Sequence, residues 1–437
     1  MTPKAGGTTF ERREPDWLEV HEARARVLAS AHPLRTERVG LSDAWGRALG
    51  EEVLATATLP PWDNSAMDGY AVRSEDVSGA SRLSPVQLSV VGVVRAGGGM
   101  GPRVGPGEAV RIMTGAPIPP GSDTVIRVED TDAEAQAGQV RIFQERDRGR
   151  HVRRAGQDMR AGESLLTPGH PVTSGAVGVL AAAGLDTVLV HQVPTVAILA
   201  TGDELKSSSQ YEDVRAGQGI PESNVPMLSA MVRRAGALPI DLGIAADNPE
   251  DILRRVEAGA AADVLVTIGG ASMGEADLMK RVLDEVGFDQ TFWRVKMRPG
   301  SPISFGSIPH GPNRQPVFGL PGNPSSAFVT FEVFVRPFLL KLSGHRRLAR
   351  RTIRCSAAEP FGTPSALTYF QRVSLSMGTD GMRASLTGSQ GSGLVTGLAR
   401  ADGLAIIPPE IDATTEGDPV DVMLLDTGPA ALEIDVG

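Results

Sequence analysis

From residue 194 onward the chain alternates short apolar runs with segments of helical spacing, and no other feature narrows its fold as much. VAILA (residues 196–200), LPIDLGI (238–244), VLVTIGG (264–270) and PVFGL (316–320) read as strands buried on both faces. Between them, Val225, Leu228 and Val232 line a helix beginning near Asn224. A second helix opens at Asn248 and Pro249, and a third carries Leu278, Val282 and Val286. Such alternation builds a doubly wound α/β domain, a parallel sheet with helices on both faces. A last helix, with Ala327, Phe328, Phe331, Val335 and Phe338 on its apolar side, ends at Gly344.

The remainder of the chain has a different character. Trp17, Val20, Ala23, Val27 and Leu28 recur at helical spacing, which predicts a helix over residues 17–30 that Pro33 ends. Residues 60–150 hold short β-like runs (QLSVVGVV, EAVRIM, DTVIRVED, QVRIF) between glycines and prolines, as in a small all-β unit. Helical patterning returns in TSGAVGVLAAAG (residues 173–184), so the β unit reads as an insertion into a discontinuous first domain. Beyond residue 350 only short strand-like runs and turns remain, and a terminal β-domain is the simplest reading.

Composition excludes several classes. With 52 acidic against 43 basic residues the formal net charge is -9, so no broad footprint for nucleic acid is expected, although local basic clusters can bind a small anion. Cys355 is the single cysteine, which rules out an internal disulfide and a cysteine-rich metal site and fits a reducing compartment. Residues 1–17 carry no apolar stretch of the secretory kind and no run approaches 18 apolar residues, so the expectation is a soluble, cytoplasmic protein with no membrane contact.

In an open parallel sheet, ligands bind beyond the carboxyl ends of the strands, where loops and helix N-termini converge. Four such ends carry unusual chemistry here. TGDEL (201–205) sets two carboxylates, Asp203 and Glu204, after a glycine. Asp247 follows LPIDLGI and, taken alone, reads equally as a turn or capping residue. GGASMGEAD (269–277) offers glycine amides to an oxyanion ahead of a helix start, through Gly269, Gly270 and Ser272. LPGNPSS (320–326) opens a helix at Asn323, with Gly322 before it and Ser325 and Ser326 in its first turn; it is either a phosphate seat or only a well-capped helix. Four such loops on one edge are much less expected by chance.

A phosphate beside carboxylates needs a cation between them. Glu204, Asp247 and Asp277 are hard oxygen ligands of the kind Mg2+ uses, though each can instead cap a helix or pair with an arginine. WRVKMRPGSP (293–302) places Arg294, Lys296 and Arg298 on one face if it is a strand, either a solvated row or an oxyanion clamp.

With these residues in view, the chain resembles the molybdopterin molybdenumtransferase family, the type to which the gephyrin E domain belongs. The resemblance rests on DNSAMDGYA (63–71), RIMTGAPIPPGSD (111–123), TGDEL, GEAD (274–277), LPGNP, and FQR (370–372) with GSQGS (388–392). It covers nearly the whole chain in order, and DNSAMDGYA and RIMTGAP are its specific motifs. It implies insertion of molybdate into adenylated molybdopterin with release of AMP, in a magnesium-dependent step. It also implies four domains: a discontinuous, elongated N-terminal one (15–58 and 150–193), an inserted small β-domain (59–149), the α/β molybdopterin-binding domain (194–344) and a C-terminal β-barrel (345–437). A homodimer is implied whose cleft joins the α/β domain of one chain to the inserted domain of the other, together with contact to molybdopterin adenylyltransferase. Carried over by motif, the family's site falls on Asp68, Thr114, Asp158, Arg294 and Arg298 for catalysis. Arg372 and Ser392 join the glycine and LPGNPSS residues in substrate binding, and Glu204, Asp247 and Asp277 take the metal.

The sequence departs from the family at two places. A lysine pattern K-x-x-x-K-P-G-K-P is replaced by Arg294, Arg298 and Ser301, which keeps two cations in a bulkier, planar form and loses the third. PESN (221–224) sets Glu222 where aspartate is usual. A non-catalytic or scaffolding paralogue, and a tungstate-selective one, are the competing readings. The related adenylyltransferase is disfavoured because the inserted and C-terminal domains would have no role in it.

Overall fold

The structure, a computed structural model, describes residues 17–269, 278–362, 366–378, 380–411 and 413–425. The first helix spans Val20–Ala29, closed by a capping box between Glu19 and Glu22. It starts later than its periodicity suggests because Leu18 is extended, bridged in parallel to Val295. Thr36–Gly40 then pairs antiparallel with Thr187–His191, and Val53–Leu54 with Ser164–Leu166. Ala44, Leu49 and Val53 share one core with Val172, Leu180 and Val190, so the first domain is indeed discontinuous. Between its halves lies a five-stranded sheet in which Gly69–Val72 is flanked by Thr124–Arg127 and Glu108–Ile112, followed by Val86–Val94 and Gln139–Ile142.

The α/β unit is doubly wound. Its six strands lie in the order Leu238–Ala245, Thr195–Thr201, Val264–Ile268, Asn313–Leu320, Ser304–His310 and Asp289–Phe292, and the first four are parallel. Along Thr195–Thr201, Val196 and Ile198 pack toward Val225, Leu228 and Val232 of the helix Asn224–Arg234. Ala197 and Leu199 face Ile252, Val256 and Val282 of the helices Pro249–Ala258 and Leu278–Glu285 on the other side. Strict alternation of buried residues on both faces is what a central parallel strand requires.

Two expectations are corrected. The sheet is mixed, because Ser304–His310 turns back at Gly311 (φ 55°) and pairs antiparallel with Asn313–Leu320. Pro309, Gly311 and Pro312 had hidden this hairpin. The last helix is unbroken but not α-helical throughout: Pro324–Thr330 passes through a π-helical turn, Phe331–Val335, into Arg336–Leu342. Pro337 has no N–H to give, and a wider turn just before it absorbs the missing bond.

The C-terminal unit closes on itself. Thr368–Gly378, Gly381–Leu386, Thr352–Ala357, Pro419–Leu424 and Gly403–Ile407 pair in that order and the last pairs back to the first, forming a five-stranded barrel. Cys355 is buried inside it beside Tyr369, Val373 and Val422, a small core residue.

Candidate active site

The strand Thr195–Thr201 is the topological switch point: its successor in sequence lies on one side and the next strand, Val264–Ile268, on the other. Loops leaving such neighbours diverge and open a crevice. In the first loop Gly202 adopts φ 144°, and a Cβ there would lie 2.6 Å from a Glu204 carboxylate oxygen, so only glycine lets Glu204 fold back over the turn. Asp203 and Asp247 interlock: the Asp247 amide donates to Asp203 Oδ1 at 3.0 Å and the Asp203 amide to Asp247 Oδ2 at 3.3 Å. The sequence reading had noted Asp203 without giving it a role; here it ties two strand ends together. Asp203, Glu204 and Asp247 are all exposed, and the Glu204 carboxylate has no hydrogen-bond partner among the described residues.

Asp277, expected as the third metal ligand, lies outside the described residues, as do Gly270 and Ser272. Among the described residues no three carboxylate, histidine or cysteine side chains are grouped for a metal.

Gly269 (φ 93°) ends the third parallel strand, and a Cβ on Gly322 would sit 3.9 Å from its Cα, so the two glycine backbones border each other. Gly322 O accepts from Asn224 Nδ2 at 2.6 Å. Glu222 caps the helix behind it, its Oε1 accepting from the Asn224 and Val225 amides at 2.8 Å each. Burial pushes its carboxyl above the usual range, against the two amide bonds that lower it. A glutamate thus does the capping work at the family's aspartate position.

The Ser325 hydroxyl of LPGNPSS is not the free donor the sequence suggested. Ser325 and Ser326 are buried. Ser325 Oγ donates to Leu394 O at 2.7 Å and its amide to Ser392 O at 3.0 Å, while Asn323 Nδ2 donates to Ser392 Oγ at 3.1 Å. Asn323 makes no side-chain cap. This helix start turns toward the barrel's GSQGS loop, where Ser392 takes the Asn323 side chain and the Ser325 amide.

Arg372 is likewise spoken for. It is 0% exposed; its guanidinium donates to Ser389 O at 2.9 Å, and its amide to Gln390 Oε1 at 2.8 Å. Its Nε and one terminal nitrogen are buried without a partner, and desolvation pushes its pKa down. In this conformation Arg372 shapes the loop and meets no solvent-borne ligand directly. Ser392 receives the Asn323 bond in the same contact.

The cationic row is divided rather than aligned on one strand. Val295 bridges Leu18, while Met297–Arg298 pairs with Thr368 and Tyr369 of the barrel. Arg294 stacks on two indoles, 4.4 Å from the Trp293 ring centre and 5.1 Å from that of Trp17. Lys296 Nζ pairs with Glu19 at 2.6 Å. Arg298, exposed, lines a cleft of about 320 Å³ with Pro299, Tyr369, Gln371, Gln390 and Gly391. Ser301 Oγ donates to Met297 O at 2.7 Å and holds the turn.

In the insertion, Asp68 Oδ1 accepts from the Thr114 amide at 2.7 Å and its hydroxyl at 2.8 Å; these bonds, the amide foremost, hold the carboxyl below its usual range. The adjacent Gly69 is required: a Cβ would lie 1.9 Å from Ile126 O. Asp158 is exposed, its amide donating to Leu59 O at 3.1 Å. Asp68 and Thr114 therefore form a prepared pair, while Asp158 stands at the root of the insertion.

Comparison with known proteins agrees along the whole chain. Residues 18–184 match a family model described as MoeA N-terminal region (domain I and II), 197–341 one described as probable molybdopterin binding domain, and 354–425 one described as MoeA C-terminal region (domain IV). The molybdopterin molybdenumtransferase of Bacillus subtilis is 36% identical over 95% of this chain and 95% of its own length. Molybdopterin molybdenumtransferase 1 of Mycobacterium tuberculosis is 34% identical over 93% and 98%. The crystal structure of the molybdopterin biosynthesis moeA protein from Pyrococcus horikoshii superposes with a TM-score of 0.79 at 26% identity, covering 94% of this chain and 100% of that one.

Proposed function

The chain belongs to the molybdopterin molybdenumtransferase family, and from that premise we propose that it inserts molybdate into adenylated molybdopterin and releases AMP. It is a transferase of molybdenum cofactor biosynthesis. The observation that carries the mechanistic reading is the set of exposed carboxylates, Glu204 and the interlocked Asp203 and Asp247, at the switch point beside the Gly269 and Gly322 backbones.

In this reading Gly269 and Gly322 admit the pterin phosphate, since a glycine has no side chain of its own to cover its amide. Glu204 and Asp247 fit magnesium: they are hard, exposed, on neighbouring strand ends and unpaired with any cation among the described residues. Magnesium, when bound, neutralises the pyrophosphate and stabilises charge on the departing AMP. The Asp203 carboxylate holds the Asp247 loop in place by accepting from the Asp247 amide. Arg298 attracts the tetrahedral dianion to its cleft, where Gln390 and Gly391 form one wall and Arg372 supports that wall from behind.

Asp68, with Thr114, and Asp158 join this site from a second chain, in a homodimer whose insertion faces the strand ends of its partner. Residues 15–58 with 150–193, 59–149, 194–344 and 345–437 are the four domains of this proposal. A contact with molybdopterin adenylyltransferase, to receive the adenylated substrate, and a cytoplasmic location belong to it as well. Among the described residues no helix is long and apolar enough to cross a membrane.

The test is AMP release from adenylated molybdopterin with magnesium and either molybdate or tungstate. Release that depends on molybdate supports the transferase. Release with tungstate alone makes the chain a tungstate-selective paralogue. Pterin binding without oxyanion-dependent release makes it a binding or scaffolding paralogue.

A further inference from the structure

Of the alternating cations in residues 294–298, Lys296 is neutralised by Glu19 and Arg298 lies exposed in its cleft. Arg294 is different from both. It is half-buried, its guanidinium has no carboxylate partner among the described residues, and two indole rings flank it, Trp293 at 4.4 Å and Trp17 at 5.1 Å. Trp293 is nearly buried, at 8% exposure, so its ring is a fixed wall; Trp17, at 39%, closes the other contact from the segment that precedes the first helix. Lys280 Nζ also lies 5.2 Å from the Trp293 ring.

A guanidinium stacked on aromatic rings has its π-faces occupied, and its N–H edge is then the part left to make hydrogen bonds. That edge matches two oxygens of one oxyanion. A lysine can make a cation–π contact there, as Lys280 does with Trp293, but its ammonium has no plane to stack and no fork to present. The arginine that replaces the family's lysine therefore comes with a cradle suited to a planar cation.

We propose that Trp17 and Trp293 are positioning residues that hold the Arg294 guanidinium against their rings and so present its N–H edge to the oxyanion substrate. The proposal rests on the reading of Arg294 as part of the oxyanion clamp. The rival role is a staple: Leu18 N donates to Arg294 O at 3.3 Å and Lys296 N to Leu18 O at 2.8 Å, so the same stack could serve only to fasten the N-terminal segment to the α/β unit. A staple affects melting and leaves oxyanion binding alone.

The experiment uses the full chain, with molybdate-dependent AMP release and the melting temperature recorded for each variant. Trp17→Ala, the exposed partner and the safer change, is expected to raise KM for molybdate about threefold to tenfold with kcat within about twofold, the effect of one cation–π contact. Trp17→Phe restores most of it. Arg294→Lys resembles Trp17→Ala, and combining the two adds little, because both remove one interaction. Trp17→Ala that lowers the melting temperature with KM for molybdate unchanged would overturn the proposal in favour of the staple. Arg294→Ala with unchanged KM would instead overturn the clamp reading beneath it, and the two failures are told apart by which variant is silent.

Discussion

Two loops that carry equally suggestive motifs, TGDEL at the strand ends and GSQGS in the barrel, have been put to opposite uses. At the strand ends the polar groups are exposed: Glu204 has no partner among the described residues, and Asp247 and Asp203 exchange amide-to-carboxylate bonds at 3.0 and 3.3 Å. Around GSQGS they are bonded to one another, with the buried Arg372 donating to Ser389 and Gly391, the buried Ser325 to Leu394, and the exposed Asn323 to Ser392. Polar groups left free at a sheet's switch point are available to a ligand. Polar groups closed on one another join domains. The first region should tolerate substitution structurally and lose activity, whereas substitution of the buried Arg372 or Ser325 in the second should cost stability.

The largest stability effect is expected at Arg372. Arg372→Ala leaves a cavity and deprives Ser389 and Gly391 carbonyls of a donor, against relief of its own partnerless nitrogens. A loss of roughly 2–4 kcal/mol is expected in denaturant unfolding. A stability equal to that of the parent chain would remove the contrast between the loops. Ser325→Ala removes one buried hydroxyl bond across the junction with the barrel, and about 1 kcal/mol should go with it, read as a lower melting temperature.

The smallest effect is electrostatic and depends on pH. Because the Thr114 amide and hydroxyl hold the Asp68 carboxyl below its unfolded value, the pair stabilises the insertion above pH 3.8 and the contribution fades as pH falls through the lower folded value. Asp68 is exposed, so the difference in melting temperature between the parent and Asp68→Asn should be small near neutrality and vanish in acid. Glu222 runs the other way: burial raises its pKa, so its ionisation costs stability as pH rises through that value. Glu222→Gln keeps the capping oxygen and should flatten this dependence. An unchanged pH profile would show that the cap is insensitive to charge.

The α/β core was legible because its physics is local: Val196, Ile198 and Leu199 can only belong to a strand covered twice, and the helices Asn224–Arg234 and Pro249–Ala258 declare their apolar faces at regular spacing. The discontinuous first domain was legible from a change of pattern and its return. The hairpin before Asn313–Leu320 was not, since Pro309 and Gly311 look like loop residues until the partner strand is known. Ser325 and Arg372 looked like ligand contacts because a hydroxyl or a guanidinium reads alike in sequence whether it faces solvent or another domain. Arg294 and Arg298 were read as one clamp, yet their backbones attach to different neighbours, Leu18 and the barrel. Asp68 and Thr114 became visible only through family resemblance, and their shared hydrogen bonds explain why those two residue types stand there.

Asp247→Ala tests the account most directly, with molybdate-dependent AMP release and the melting temperature measured on the same preparation. The account predicts release reduced about a hundredfold or more with melting within about one degree of the parent, as suits an exposed strand-end carboxylate that serves the ligand rather than the core. Parental turnover in this variant would contradict the placement of the active site at the strand ends.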